Sequence, residues 1–282
     1  MAAPRWLARI LTLTAALAVQ PAAVRAAPRS LEVYAGSASK PAVQDLAAAF
    51  EERTRARVHV HFGGSGALLS QMQLARRGDV YLPGSSDFME LAKRRELVDS
   101  LSEVRLFYLV PAIAVARGNP QGIRSLEDLA RPGLRVGIAR PETVCVGLYG
   151  VEALERSGLA ERVRPNIVNW AESCEKTAQM LSLGLVDAVL GWDVFDDWDP
   201  ARIETVPYPP ERVPRIGYAP AAVSVFAREP DLGRQFLAFL SGPEGKEAFR
   251  RHGYLASLEE ARAIARPDTP VGGEFPLPEG WR

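Results

Sequence analysis

From Leu31 onward, short apolar runs alternate with stretches whose apolar residues recur every three to four positions. Leu31–Tyr34, Val58–Phe62 and Val80–Leu82 read as strands. Val43, Leu46, Ala47 and Phe50 fall on one face of a helix spanning Pro41–Arg53, and a second helix is expected from about Ala67 to Arg76. The run Leu106–Ala116 is long and apolar and is broken only by Pro111, which reads as two strand pieces carrying the chain from one lobe to another. Beyond it the alternation resumes. Leu126–Ala130 is a short helix capped by Ser125, Leu134–Ile138 a strand, Gly147–Ser157 a helix, Ile167–Val168 a strand, Cys174–Leu183 a helix and Ala188–Leu190 a strand. Tyr218–Ala227 returns as an apolar strand, followed by helices over Asp231–Leu240 and Pro243–His252, and the Pro- and Gly-rich tail from Ala265 is expected as an irregular strap. Such alternation predicts mostly parallel sheets with helices on their faces.

Ahead of this pattern, Arg5 and Arg9 precede an apolar run, Ile10–Val19, and Val24-Arg25-Ala26 places small residues where a signal peptidase cuts. This predicts a cleavable export signal over residues 1–26; its apolar run is about half the ~20 residues a membrane-spanning helix needs. The rest divides into residues 27–110 as the first part of lobe 1, 111–217 as lobe 2, 218–264 as the return to lobe 1, and 265–282 as the tail. Composition changes this picture little. Hydrophobic residues make up 47% and charged residues 24% of the 282, with 34 basic and 34 acidic side chains. That balance suits an ordinary folded protein with no basic excess to attract nucleic acid. The chain is expected to act as a monomer in the periplasm, without a cofactor.

In open α/β sheets, ligands sit beyond the carboxyl ends of the strands, where loops lead into helices. Four loops fit: Ala35–Ser39, Phe62–Gly66, Pro141–Gly147 and Ala171–Cys174. Each ends at an expected helix start, where unpaired N–H groups and the positive end of the backbone dipole can hold an anion without Lys or Arg. Serine in such a loop can equally be only a helix cap, and glycine only a turn.

These loops carry a resemblance. Val33-Tyr34-Ala35-Gly36-Ser37 with Ala42–Asp45, Phe62–Ser65 with Leu68, Pro141–Tyr149, and Ser241–Pro243 to Gly253-Tyr254 are similar to the periplasmic molybdate-binding proteins of ABC importers. The resemblance implies an α/β two-lobed periplasmic-binding-protein fold of type 2, each lobe a mixed, mostly parallel sheet flanked by helices. It also implies capture of a small tetrahedral oxyanion, molybdate or tungstate, by neutral hydrogen bonds, and delivery to a membrane permease. By that similarity the first loop's donor falls among Ser37, Ala38 and Ser39, with Ala38 aligned to the family's serine. The second loop's serine is Ser65, and backbone amides come from Val146 and Cys174. The family's tyrosine hydroxyl has no counterpart; Gly191 or Trp192 stands in its place.

Both cysteines of the chain, Cys145 and Cys174, lie in these loops, where the family has Pro and Val. Three readings stay open: a structural disulfide, a thiolate pair binding a soft metal ion or a trivalent metalloid such as arsenite, or two free thiols beside an oxyanion site. A sensor component that touches a membrane histidine kinase instead of a permease is a further alternative. His59 and His61 share a strand face, and Asp193, Asp196, Asp197 and Asp199 cluster near Trp192 and Trp198; both groups read first as solvated surface. Lys40 and Arg140 flank the cleft loops. Catalytic signatures are missing: there is no nucleophile elbow, no His-Glu-x-x-His and no phosphate-binding glycine loop with Lys, so an enzyme is not expected.

Overall fold

The computed structural model describes residues 29–281; the expected export signal lies outside them. Two five-stranded sheets organise the chain. The first contains β1 (Ser30–Gly36), β2 (Arg57–Gly63), β3 (Val80–Leu82), β4 (Val104–Leu109) and β10 (Gly217–Val223), in the order β2-β1-β3-β10-β4. The second contains β5 (Pro111–Ala116), β6 (Val136–Ala139), β7 (Ile167–Ala171), β8 (Ala188–Trp192) and β9 (Ile203–Pro207), in the order β7-β6-β8-β5-β9. Within the first, β1 runs parallel to β2 and β3, and β10 is antiparallel to β3 and β4. Within the second, β6 runs parallel to β7 and β8, and β5 is antiparallel to β8 and β9. The expected two-lobed α/β fold with mixed sheets is therefore borne out.

The helices follow the expected pattern with informative shifts. α1 (Lys40–Thr54) lays Val43, Leu46 and Phe50 on the inner face of β1, against Leu31 and Val33. α2 (Ser65–Ala75) places Leu69 and Met72 on the other face, with Tyr34 and Tyr81. α4 (Cys145–Arg156) and α6 (Cys174–Ser182) cover the second sheet. α8 (Pro230–Ser241) and α9 (Pro243–Arg251) close the first. Two helices begin earlier than periodicity suggested, α2 at Ser65 and α4 at Cys145, because their first turns are made of small or atypical residues that carry no apolar rhythm.

Three expectations are corrected. α3 (Ser86–Arg94) and β9 were not foreseen: α3 begins with polar residues directly after β3, and β9 is an edge strand whose side chains are mostly half-exposed. Ser125 does not cap the short helical turn by its hydroxyl. The Asp128 carboxylate reaches back and accepts from the backbone N–H groups of Arg124 and Ser125. The returning strand stops at Val223, before the expected Ala227.

The chain crosses between sheets at Val110 and again between β9 and β10. The second crossing carries Arg215, only 3% exposed. Its guanidinium bonds Asp87 of α3 at 2.8 Å and Glu152 of α4 at 2.5 Å, and lies 3.9 Å over the Tyr149 ring. One buried cation thus joins an element of each lobe. Burial alone would lower its pKa; Tyr149 and the two carboxylates outweigh that and raise it. The tail completes the junction. The Ile216 N–H donates to the Pro270 carbonyl and the Gly272 N–H to the Ile216 carbonyl, the Gly273 carbonyl accepts from both Arg215 and the Ser86 hydroxyl, and the Phe275 N–H donates to Asp87. The strap then ends on the second lobe, where buried Trp281 donates its indole N–H to Glu155 at 2.6 Å beneath Arg164. Removing one member of a buried ion cluster leaves the other charges uncompensated. Arg215→Met is expected to destabilise the protein by about 3–5 kcal/mol, read as a lower urea midpoint at unchanged slope. A loss within ordinary surface-mutation scatter would show that the cluster does not hold the lobes.

Candidate functional site

Four helices begin at one place between the lobes: α2 and α3 from the first, α4 and α6 from the second. A chain of contacts joins their first turns. Ser65, the first residue of α2, is 1% exposed and accepts through Oγ from the Gly84 N–H at 3.0 Å, in the loop that opens α3. Gly84 faces Cys145, the first residue of α4: a Cβ at Gly84 would stand 2.5 Å from Cys145 Sγ and 3.3 Å from the Ala38 Cβ. Cys145 Sγ lies 3.5 Å from Cys174 Sγ, at the start of α6. The next residue, Glu175, donates its N–H to Ser37 Oγ at 3.3 Å, which returns the circuit to the loop after β1.

The lobes are drawn together around this point. The Gly66 N–H donates across the cleft to the Thr143 carbonyl at 2.8 Å, and Lys40 pairs with Glu175 at 2.7 Å. Gly64 is confined equally, since a Cβ there would come within 2.7 Å of the Glu172 carbonyl. Cavities of about 640 and 610 Å³ flank the junction. The first is lined by Lys40, Gln44 and Trp198, the second by Phe62, Gln71 and Lys176, and Ser37 and Glu175 border both.

Both cysteines are free and buried, 1% and 2% exposed. Their environments push them apart. Cys145 is held well above the usual thiol range by its bond to Cys174, then by burial. Burial would raise Cys174 too, but hydrogen bonding from Cys145, from the Val146 N–H and from its own N–H, with the Trp192 indole close by, lowers it. The two thiols are thus shifted in opposite directions. Trp192 is fully buried, and its Nε1–H lacks a hydrogen-bond partner of its own while standing close enough to stabilise charge on the Cys174 sulfur. Ser85, at the start of α3, is also fully buried with an unpartnered hydroxyl.

The residues singled out in the sequence are thus brought together unevenly. Ser65, Val146, Cys145, Cys174 and Trp192 meet. Ser37 sits at the rim, bonded to Glu175. Ala38 contributes a methyl wall and a carbonyl that accepts from Tyr254 Oη at 2.6 Å. Ser39 donates to the Gly36 carbonyl at 2.9 Å within its own turn. Sequence reading missed Gly84 and Ser85, although Pro83-Gly84-Ser85-Ser86 follows a strand just as the four chosen loops do. His61 faces outward, bonding Glu32 at 2.9 Å beside Arg77, and His59 is exposed. Of the acidic cluster, Asp196 bonds Thr205 and Asp199 bonds Ser182. Among the described residues no group of three or more His, Cys, Asp or Glu is arranged to hold a metal ion. Arg140 is exposed.

A family model for bacterial extracellular solute-binding proteins matches residues 31–255, which takes in both sheets and all four helix starts. The chain belongs to this family. A binding protein of Haemophilus influenzae is 28% identical to it over 233 residues, 80% of this chain and 90% of that one. The molybdate-binding protein of Mycobacterium tuberculosis is 27% identical over 239 residues, 84% of this chain and 88% of that one. Among solved structures, the sulfate-binding protein of Mycobacterium tuberculosis superposes with a TM-score of 0.73 at 17% identity, covering 89% of this chain and 92% of that one. The expected likeness to molybdate-binding proteins holds, and the fold is shared with binders of other solutes.

Two measurements probe the junction. Gly84→Ala forces a methyl group against Cys145 Sγ and is expected to destabilise the protein by about 1–3 kcal/mol, measured by denaturant titration; an unchanged midpoint would mean that the thiol yields freely. The second concerns Asp193, beside the first crossing, whose Oδ1 accepts from the Val110 N–H at 3.1 Å. Burial pushes its carboxyl from 3.8 up to about 7, against the backbone N–H groups of Val110, Val194 and Asp193 itself, which favour the charged form. Because the folded value stands above the unfolded one, this group's stabilisation is complete below pH 3.8 and is lost as pH rises through about 7. Asp193→Asn should match the parent at the acid end and melt higher above neutrality, by up to about 4 kcal/mol; parallel melting curves across pH would contradict the assignment.

Proposed function

We propose that this solute-binding protein is exported to the periplasm by its leader and captures a small tetrahedral oxyanion of the molybdate or tungstate class between its lobes, for release to a membrane permease of an ABC importer. One observation carries the reading. Hydrogen-bond donors without net charge gather from both lobes at one buried seam: the Ser65 hydroxyl, the Val146 and Cys174 amides and the Trp192 indole N–H. Four helix starts surround them, and the nearby cation Lys40 is already paired with Glu175. Such a site stabilises a dianion by fixed dipoles and hydrogen bonds. Ser65 Oγ accepts from Gly84, which leaves its proton for the ligand. Trp192 supplies the donor that the resemblance assigns to a tyrosine hydroxyl. The molybdate-binding relative supports the choice of ligand class, and the sulfate-binding structural neighbour defines the competitor to test.

Ser37, Gly66 and Lys40 already bond across the cleft, so the lobes stand in a closed arrangement. An oxyanion reaching the pocket would complete the same closure, and the closed surface would signal loading to the permease.

A ligand that binds only the native state raises the melting temperature. Molybdate or tungstate is expected to do so, with sulfate weaker. Ser65→Ala should weaken molybdate binding by roughly tenfold or more, measured by titration calorimetry. Cys174→Ser should change it far less, since the amide stays. A protein whose melting responds to no oxyanion in that series does not have this function.

A further inference from the structure

The two sulfurs are not needed for oxyanion capture, since every donor invoked above is an N–H or O–H. Their geometry has a chemistry of its own. A disulfide requires about 2.05 Å between sulfurs; these stand at 3.5 Å, both free and both buried. One atom bonded to both at a typical metal–sulfur length of ~2.3 Å would span that gap with an angle at the centre of roughly 100°. A linear two-coordinate soft cation would instead need the sulfurs about 4.6 Å apart, twice that bond length. A tetrahedral dication would need two more side-chain ligands, and among the described residues no third His, Cys, Asp or Glu joins the pair in a metal-holding group. The remaining fit is a pyramidal, three-coordinate centre whose third ligand is an oxygen. An unpartnered, fully buried donor beside Cys174 is there for that oxygen: Trp192 Nε1–H.

We infer that Cys145 and Cys174 form a covalent binding site for a trivalent metalloid oxyacid, arsenite or antimonite, inside the same pocket. The inference rests on the reading of that pocket as the solute site. The exchange is a condensation: two S–H bonds and two metalloid–oxygen bonds break, two metalloid–sulfur bonds form, and two waters leave. The centre keeps its oxidation state and one hydroxyl, so no oxidant or reductant takes part. The retained hydroxyl accepts from Trp192. Gly84 is the residue that leaves space for the Cys145 sulfur at this position, because any Cβ there would collide with it.

The mature chain, reduced with a phosphine that is then removed, is mixed with sodium arsenite under nitrogen and followed by native mass spectrometry and by melting temperature. One arsenic per chain is expected, with a raised melting temperature and loss of both thiols to a thiol reagent. Ser65→Ala should retain the adduct, while Cys145→Ser and Cys174→Ser should each lose it. Absence of an adduct on the reduced parent, or its full retention in either cysteine variant, overturns the inference. Should a cysteine variant fail to melt cooperatively, the parent with both thiols blocked by methylthiolation takes its place, with the same two outcomes. A molybdate titration run alongside separates the two readings. Arsenite uptake without any oxyanion response removes the oxyanion function and leaves the dithiol site standing; an oxyanion response without arsenite uptake does the opposite.

Discussion

Four helices start at the seam between two sheets, and the first N–H groups of a helix have no partner within it. That unmet hydrogen-bonding capacity governs this molecule. A buried seam lined by such donors must be supplied with acceptors, from the other lobe, from side chains or from a ligand. Part of the demand is met internally. Ser65 Oγ takes the Gly84 N–H, Ser37 Oγ takes that of Glu175, and the Thr143 carbonyl takes that of Gly66. The Val146 and Cys174 N–H groups turn to the Cys174 sulfur, and the Trp192 indole N–H, itself a donor without a partner, stands beside it. Sulfur is a weak acceptor, so the seam remains suited to a ligand bearing negative oxygen.

Holding this seam together is a problem of charge burial, met at the second crossing. Arg215, Asp87 and Glu152 lie almost fully out of water; Arg215 bonds both carboxylates and a tail carbonyl over the Tyr149 ring, while Asp87 Oδ2 has no hydrogen-bond partner. Because Asp87 opens α3 and Glu152 lies in α4, the cluster ties together two of the helices whose starts line the pocket. Tyr149 extends that link: Arg215 covers its ring, which meets Trp192 edge-on with ring centres 4.8 Å apart. The C-terminal strap, otherwise an irregular run of Pro and Gly, seals this cluster from solvent. A position so far from the pocket in sequence can thereby affect how its two halves meet.

Much of the architecture was legible because apolar rhythm is a local property. Val43, Leu46 and Phe50 announce α1, and the interruption at Pro111 marks where the chain leaves one sheet for the other. What escaped was polar or exposed. β9 carries half-exposed side chains along an edge, and α3 opens on Ser86 and Asp87, whose burial comes from hydrogen bonds and ion pairing with distant residues. The same blindness hid Ser85 from the candidate pocket. Its loop is built like the others, yet its full burial follows from β3 lying between β1 and β10. Ser39, equally prominent in sequence, turns its hydroxyl to the Gly36 carbonyl instead. Strand–loop–helix spelling locates a loop at the carboxyl edge of a sheet; it does not say which way each hydroxyl in that loop points.

Read alone, the chain determined its alternation of strands and helices, the two-lobed α/β class, the loops where donors gather, and the placement of both cysteines in those loops. These follow from periodicity and from residue chemistry over a few positions, which neighbouring residues suffice to set. Tertiary structure decided the 3.5 Å approach of Cys145 to Cys174, the opposite shifts of their thiols, the seating of Gly84 against sulfur and the burial of Arg215 between two carboxylates. Each of these depends on groups 29 to 128 positions apart in the chain. Distances between such groups are set by how sheets twist and helices dock, and no local pattern encodes them.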